Sequence, residues 1–176
     1  MRIVLLGDSH LARIRRDLDR LCPSGWSVVN RAVGGSFAAD LARQAIAASL
    51  TGSDRVVVSG GTNDAAPWKQ ASLEGAVAQV RDFLTTYAGT VDRLVFLSSP
   101  GVDEARLLGA NNRTNVDLAR YSTAFTDAFE RAGATVLDAA RGLAPLGSKA
   151  FVDDGVHLSA AGYDVLLPAL RTVLEG

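Results

Sequence analysis

The sequence has a single cysteine, Cys22, in 176 residues. One thiol excludes an intramolecular disulfide and a cysteine-based zinc site, and a buried, inert side chain is its ordinary fate. Histidine is almost as scarce, with only His10 and His157, so any histidine base must be one of these two. Lysine is confined to Lys69 and Lys149; the other basic residues are arginine. Acidic residues intersperse with them to a formal net charge of -1, which offers nucleic acid no basic face. Long apolar runs are missing too. Ile3–Leu6 is too short for the core of a secretory leader, and no run approaches membrane-spanning length. The expectation is a cytoplasmic protein with no membrane span. The patterns G-x-G, G-K-S/T, H-E-x-x-H and G-x-S-x-G do not occur, so the dinucleotide fingerprint, the P-loop, that zinc motif and that nucleophile elbow are excluded.

What is present suits one globular domain spanning residues 1–176: 48% of the chain is hydrophobic and 21% charged. Ile3–Leu6 reads as a strand buried on both faces and runs into Gly7 and Ser9. Leu11, Ile14, Leu18 and Leu21 then recur at helical spacing, predicting a helix from Ser9 or His10. Further strands are predicted at Trp26–Val29, Arg55–Ser59, Val91–Leu97 and Ala134–Leu137. Between them lie helices with inner stripes at Phe37, Leu41, Ala45 and Ile46, at Leu73, Val77, Val80 and Leu84, and over Asn115–Arg131. Residues 138–150 read as loop with a helical turn. A last helix follows Ser159, carrying Tyr163, Leu166, Leu167, Leu170 and Val173, and Pro168 is expected to kink or break it. Strands alternating with helices predict a parallel sheet in an α/β sandwich, and such sheets bind ligands at the carboxyl ends of their strands.

Those ends carry the chemistry-bearing residues. Ser9 stands where a strand stops and a helix begins, so unpaired N–H groups and the helix dipole favour a developing oxyanion there; a serine in that place also serves as an ordinary cap. The pair Gly34-Gly35 after the second strand either lets a ligand approach the backbone or makes a plain tight turn. Gly60-Gly61-Thr62-Asn63-Asp64 ends the third strand. His157 is a better base than His10, because neighbours on a helix do not face each other. Asp154 lies three residues before His157, with Gly155 between to permit a turn that brings the carboxylate back to the imidazole; a solvated loop is the alternative. Val102–Asn115 is a long irregular segment, of the kind that covers sites or moves. On it, Arg106, Asn111, Asn112 and Arg113 could hold a sugar or a carboxylate, or simply face water.

Four blocks in this order, Gly7-Asp8-Ser9, Gly35 five residues after Asn30, Gly61-Thr62-Asn63-Asp64, and Asp154-Gly155-Val156-His157-Leu158-Ser159, resemble those of the SGNH/GDSL hydrolases, across nearly the whole chain. The resemblance implies a flavodoxin-like three-layer sandwich with a five-stranded parallel sheet. It implies an esterase or acyl-hydrolase with Ser9 as nucleophile, His157 as base and Asp154 as its orienter. The backbone N–H groups of Ser9 and Gly35 and the Asn63 amide would form the oxyanion hole, with no metal or cofactor required. Two departures are His10, where the family commonly has leucine, and Asp153, a second carboxylate beside Asp154. The expected partner is a small-molecule ester with a short acyl group such as acetyl. Trp68, Phe37, Val156, Leu107, Val102 and Leu108 are candidate pocket walls. Acyl transfer to an alcohol, thioester cleavage and a non-catalytic binding module remain as alternatives.

Overall fold

The computed structural model describes residues 1–109 and 112–176, leaving aside the side chain of Arg16. Asn111 lies outside the described residues. Five strands, β1 (Arg2–Leu6), β2 (Ser27–Asn30), β3 (Asp54–Ser59), β4 (Arg93–Leu97) and β5 (Thr135–Leu137), pair in parallel in the order β2-β1-β3-β4-β5. That is the flavodoxin-like order, with its switch point at β1 and β3. The helices are α1 (Ser9–Ala12), α2 (Leu18–Leu21), α3 (Leu41–Ala48), α4 (Leu73–Tyr87), α5 (Asn115–Arg131), α6 (Ala139–Leu143) and α7 (Ala160–Glu175).

Strand alternation divides the core in two. Val4, Leu6, Val56, Val58, Leu94 and Phe96 bury against the apolar stripes of α3, α4 and α5, while Ile3, Leu5, Val57, Val95 and Leu97 bury against Leu11, Ile14, α6 and α7. Both faces of the sheet are covered, which is why its strands are almost wholly apolar.

The structure departs from four of the expectations. The first predicted helix is split: α1 has four residues, Arg13–Arg16 is a 3₁₀ turn, and α2 starts afresh at Leu18. Asn30 Nδ2 donates to the Leu11 carbonyl (2.9 Å) that a continuing α-helix would give to residue 15. Ile46 is not on the inner stripe of α3 and is 70% exposed. The inward positions are Leu41, Gln44, Ala45 and Ala48, because the Gln44 amide has buried backbone to satisfy. Pro168 does not break α7, which runs through it to Glu175. Pro168 and Asp164 are exposed, so the Asp164 carbonyl that loses its donor faces water. The segment read as mostly loop at 138–150 is helical over Ala139–Leu143 and 3₁₀ in two pieces over Ala144–Ala150, separated by a non-helical Gly147.

Candidate active site

β1 ends in a turn that only glycine can make. Gly7 has φ +115°, and a Cβ there would collide with the Ser59 carbonyl of β3. The turn is gripped by Gln44 from α3: the Gly7 N–H donates to Gln44 Oε1 (2.5 Å), and Gln44 Nε2 donates to the Gly7 carbonyl and to Ser36 Oγ (both 3.0 Å). Asp8 then caps α1, accepting from the His10 N–H (3.0 Å) and the Ser59 hydroxyl (2.8 Å). These bonds fix the backbone on either side of Ser9, which is 7% exposed.

Three strand ends meet at Ser9. A Cβ built on Gly34 would lie 3.8 Å from Ser9 Cβ, so the β2 exit lies against Ser9. Asn63, after β3, donates from Nδ2 to the Ser36 carbonyl (2.9 Å); this turns its amide nitrogen towards the β2 exit and leaves a second N–H. Among the described residues neither the Ser9 nor the Gly35 N–H has a protein acceptor. A four-residue helix carries little macrodipole, so what Ser9 gains from its position is this unpaired N–H.

Around that corner the polar side chains are buried. Asp64 accepts from the Ala38 N–H (2.8 Å) and the Gly61 N–H (3.1 Å). Burial pushes its carboxyl up to about 6, against those two donors and aided by the charge of Asp8. His10 is 1% exposed, its Nε2 pairs with Thr62 Oγ1 at 3.3 Å, and Thr62 pairs in turn with Ser99 Oγ at 2.8 Å. Burial lowers the pKa of His10. This imidazole is enclosed and bonded into the scaffold of the turn. Tyr163 of α7 donates to the His10 carbonyl (2.9 Å), tying the opposite helix layer to this turn.

His157 comes from the loop before α7. Its Nδ1 donates to Asp154 Oδ2 (2.5 Å), while Asp154 Oδ1 accepts from the N–H groups of Val156 and His157 (both 2.9 Å). Partial burial works to raise the Asp154 carboxyl, but those N–H groups and the ring outweigh it and hold it at about 2. Of the two adjacent carboxylates, the one bonded to His157 is Asp154; Asp153 is exposed. Gly155, at φ +70°, makes the turn, and a Cβ there would lie 2.6 Å from the Asp103 carbonyl. The long segment after β4 is thereby laid against this loop. The Asp103 N–H donates to the Gly155 carbonyl (2.7 Å), and Arg106 Nη1 to the carbonyls of Phe151 (3.3 Å) and Val152 (3.4 Å). The loop stands near enough to the Ser9 turn for the charge of His157 to bear on His10. Among the described residues no hydrogen bond joins Ser9 Oγ to His157.

The candidate walls divide. Val156 and Leu107 are half-buried against the α3–α5 side of the core, and Leu107 reaches to 3.4 Å from the Gly155 Cβ position. Val102 is a core residue, its backbone held at both polar atoms by the Asn115 amide (2.9 Å each). Leu108 is 89% exposed and walls nothing. Phe37 lies under Lys69 Nζ (5.0 Å to the ring centre) and Trp68 under the Arg113 guanidinium (4.7 Å). Arg113 does not face water as a loop arginine would: it is 7% exposed. Burial lowers its pKa, and Asp8 and Asp154 both pull it back up. Residue type and a polar loop made Arg113 a candidate, but no periodicity could reveal its burial.

Among the described residues no cluster of three His, Cys, Asp or Glu side chains is arranged to hold a metal ion. No helix among them is long and apolar enough to cross a membrane.

Comparison with solved structures gives the same fold over the whole chain. A lipase/acylhydrolase from Enterococcus faecalis is 18% identical with a TM-score of 0.80, the alignment covering 99% of this chain and 95% of that one. LAE5, an alpha/beta hydrolase enzyme from the metagenome of Lake Arreo, is 19% identical at 0.74, over 99% and 96%. Axe2, an acetylxylan esterase from Geobacillus stearothermophilus, is 17% identical at 0.73, over 99% and 94%. No curated protein sequence matches. The family model that does match covers residues 6–165, from the end of β1 through the His157 loop into α7, and by it the chain belongs to the GDSL-like lipase/acylhydrolase family of hydrolases.

Proposed function

We propose that this hydrolase cleaves carboxylic esters through an acyl-enzyme on Ser9. The observation that carries the reading is the hydrogen-bonded Asp154–His157 pair, held beside a corner that leaves the Ser9 and Gly35 N–H groups and one Asn63 N–H without protein acceptors. Ser9 Oγ attacks the acyl carbon while His157 Nε2 takes its proton, and Asp154 holds Nδ1–H and offsets the imidazolium charge. The carbonyl electrons move onto oxygen, where the three N–H groups receive them. Collapse expels the alcohol, which leaves with the proton from His157. Water, deprotonated by the same imidazole, then attacks the acyl-enzyme; the bond to Ser9 Oγ breaks, His157 returns the proton to that oxygen, and the acid leaves. The Ser9–His157 hydrogen bond forms when substrate closes the gap, as such contacts tighten in the Michaelis complex. None of these steps calls on a metal or cofactor.

Short acyl groups such as acetyl suit the site, because Val102 and Arg106 after β4 are held by Asn115 and by the Phe151 carbonyl close to the His157 loop. Turnover of 4-nitrophenyl acetate together with fluorophosphonate labelling tests the assignment. Ser9→Ala should abolish labelling and lower kcat about 10⁴-fold or more. Asn63→Ala should keep the label and lower kcat about 10²–10³-fold. Label persisting in Ser9→Ala would assign the reaction to another nucleophile, and unchanged turnover in Asn63→Ala would remove that residue from the oxyanion hole.

A further inference from the structure

Arg113 sits two residues before α5, and its backbone is fixed on both sides. Its N–H donates to Asn112 Oδ1 (2.9 Å), and Thr114 caps the helix by accepting from the Asp117 N–H (3.1 Å). The side chain is therefore delivered to one place, and that place is enclosed. Yet no carboxylate among the described residues comes within ion-pair distance of its guanidinium, and Nε is buried without an acceptor. Burying a cation without pairing it is costly, so native arginines in such positions are normally bonded to an anion. The charges that bear on it lie on the two halves of the reaction centre: Asp8, next to Ser9, and Asp154, on His157. His10 feels it as well. The guanidinium is thus buried within electrostatic reach of both the nucleophile's turn and the base's loop.

Its support is built for a guanidinium. Trp68, 53% exposed, presents its ring to Arg113 at 4.7 Å, and the next residue, Lys69, lies over Phe37. The turn Pro67–Lys69 following the Asn63 block thereby sets two cations against aromatic faces. Stacking fixes the plane of a guanidinium while leaving its edge to bond in that plane, the arrangement that receives a carboxylate with two parallel hydrogen bonds.

We propose that Arg113, on its Trp68 platform, is an anion-binding subsite of the ester site, and that the preferred substrates are esters carrying a carboxylate close to the scissile bond. The inference rests on the hydrolase reading above and narrows it to a substrate class. A guanidinium that no protein carboxylate pairs is satisfied when that substrate binds. Asp8 and Asp154 favour its charged form, and neither lies within ion-pair distance among the described residues.

Matched esters differing only in charge test this. In 4-acetoxybenzoate against its methyl ester the carboxylate is on the leaving group; in mono-4-nitrophenyl glutarate against its methyl ester it is on the acyl group. The two arms tell which side of the scissile bond faces Arg113. After division by spontaneous hydrolysis rates, the native enzyme should favour the anionic member of at least one pair in kcat/KM. In Arg113→Gln that preference should fall about 10- to 100-fold, mostly through KM, with Arg113→Lys between the two. Glutarate or benzoate should also bind the native protein, read as a change in tryptophan fluorescence, and should do so at least tenfold more weakly in Arg113→Gln.

Native enzyme that turns over both methyl esters with no preference for either anion overturns the subsite and leaves the hydrolase reading standing. So does an equal fall for both members of a pair in Arg113→Gln, which marks a structural arginine. Conversely, carboxylate binding that depends on Arg113, with no Ser9-dependent turnover of any of the four esters, overturns the hydrolase reading and supports the anion site. If Arg113→Gln does not fold, the native preference and Arg113→Lys still decide.

Discussion

Around Ser9 the chain is closed, and around His157 it is open. Asp8, His10, Thr62, Asn63, Asp64 and Ser99 are all at or below 9% exposure; Ser59, Asp8, His10, Thr62 and Ser99 form one hydrogen-bonded run, Asn63 reaches Gly7 through Ser36 and Gln44, and Asp64 takes the N–H groups of Ala38 and Gly61. The His157 side chain is 24% exposed and that of Asp154 46%, and they are held by a single turn and the segment laid over it. The proposed oxyanion donors are backbone and amide groups that must hold their places closely; Ser9 and Asn63 are buried, while Gly35 lies on an exposed turn. The proposed base, His157, would carry a proton between Ser9, a leaving alcohol and water, and its partial exposure suits that task. One site thus draws on two regimes of stability.

The largest effect expected on the open side is chemical. Asp154→Asn removes the acceptor that selects the His157 tautomer and should lower kcat about 10³- to 10⁴-fold with little change in melting temperature. Asp153→Asn should stay within about twofold on both measures. Equal effects in steady-state kinetics would mean that the two carboxylates exchange roles and that the turn is looser than its hydrogen bonds indicate.

Glycine substitutions set the two regions against each other directly. Gly7→Ala drives a Cβ into the Ser59 carbonyl inside the sheet and should cost more than about 3 kcal/mol in urea unfolding. Gly155→Ala drives one towards the Asp103 carbonyl and Arg106 Cβ, between a loop and the segment hydrogen-bonded to it and outside the sheet. It should cost about 1–2 kcal/mol and reveal itself more in lost turnover of 4-nitrophenyl acetate than in stability. If Gly155→Ala proved the more destabilising, the open region would be part of the folding core.

Protons give the smallest contrast, with opposite signs. The Asp64 carboxyl is raised to about 6 in the folded chain, so the stability it lends is complete below about pH 4 and is lost as pH rises through 6, about 2–3 kcal/mol in all. The Asp154 carboxyl is held at about 2, so its contribution is present above about pH 4 and is lost as pH falls through 2. Unfolding free energies from pH 4 to 7 should show native protein losing stability relative to Asp64→Asn across that range. A difference constant with pH would mean that Asp64 stays ionised throughout despite its burial.

How much of this was legible follows from where each signal resides. The strands could be read because apolar, β-branched runs covered on both faces announce themselves in sequence. The gathering of Ser9, Gly34 and Asn63 at one edge followed from parallel topology alone, since every such strand delivers its last residue to the same side. What escaped notice depends on partners distant in sequence. Gln44 looks like any polar helix residue until Gly7 is beside it. Ile46 loses its inward place to that glutamine, and the first helix ends because Asn30 arrives from β2 to take the Leu11 carbonyl. Arg113 is invisible as a buried cation because arginine on a polar loop nearly always faces water.

The Gln44 amide meets the Gly7 peptide as the peptide of a neighbouring strand would, accepting from its N–H and donating to its carbonyl. It acts as a one-peptide strand, extending the ladder past the point where the sheet stops. The Ser9 N–H therefore inherits the stiffness of a five-stranded sheet and owes little to α1, the four-residue helix it opens. Removing that single side chain would leave every reacting group in the chain and take away the frame that aims them.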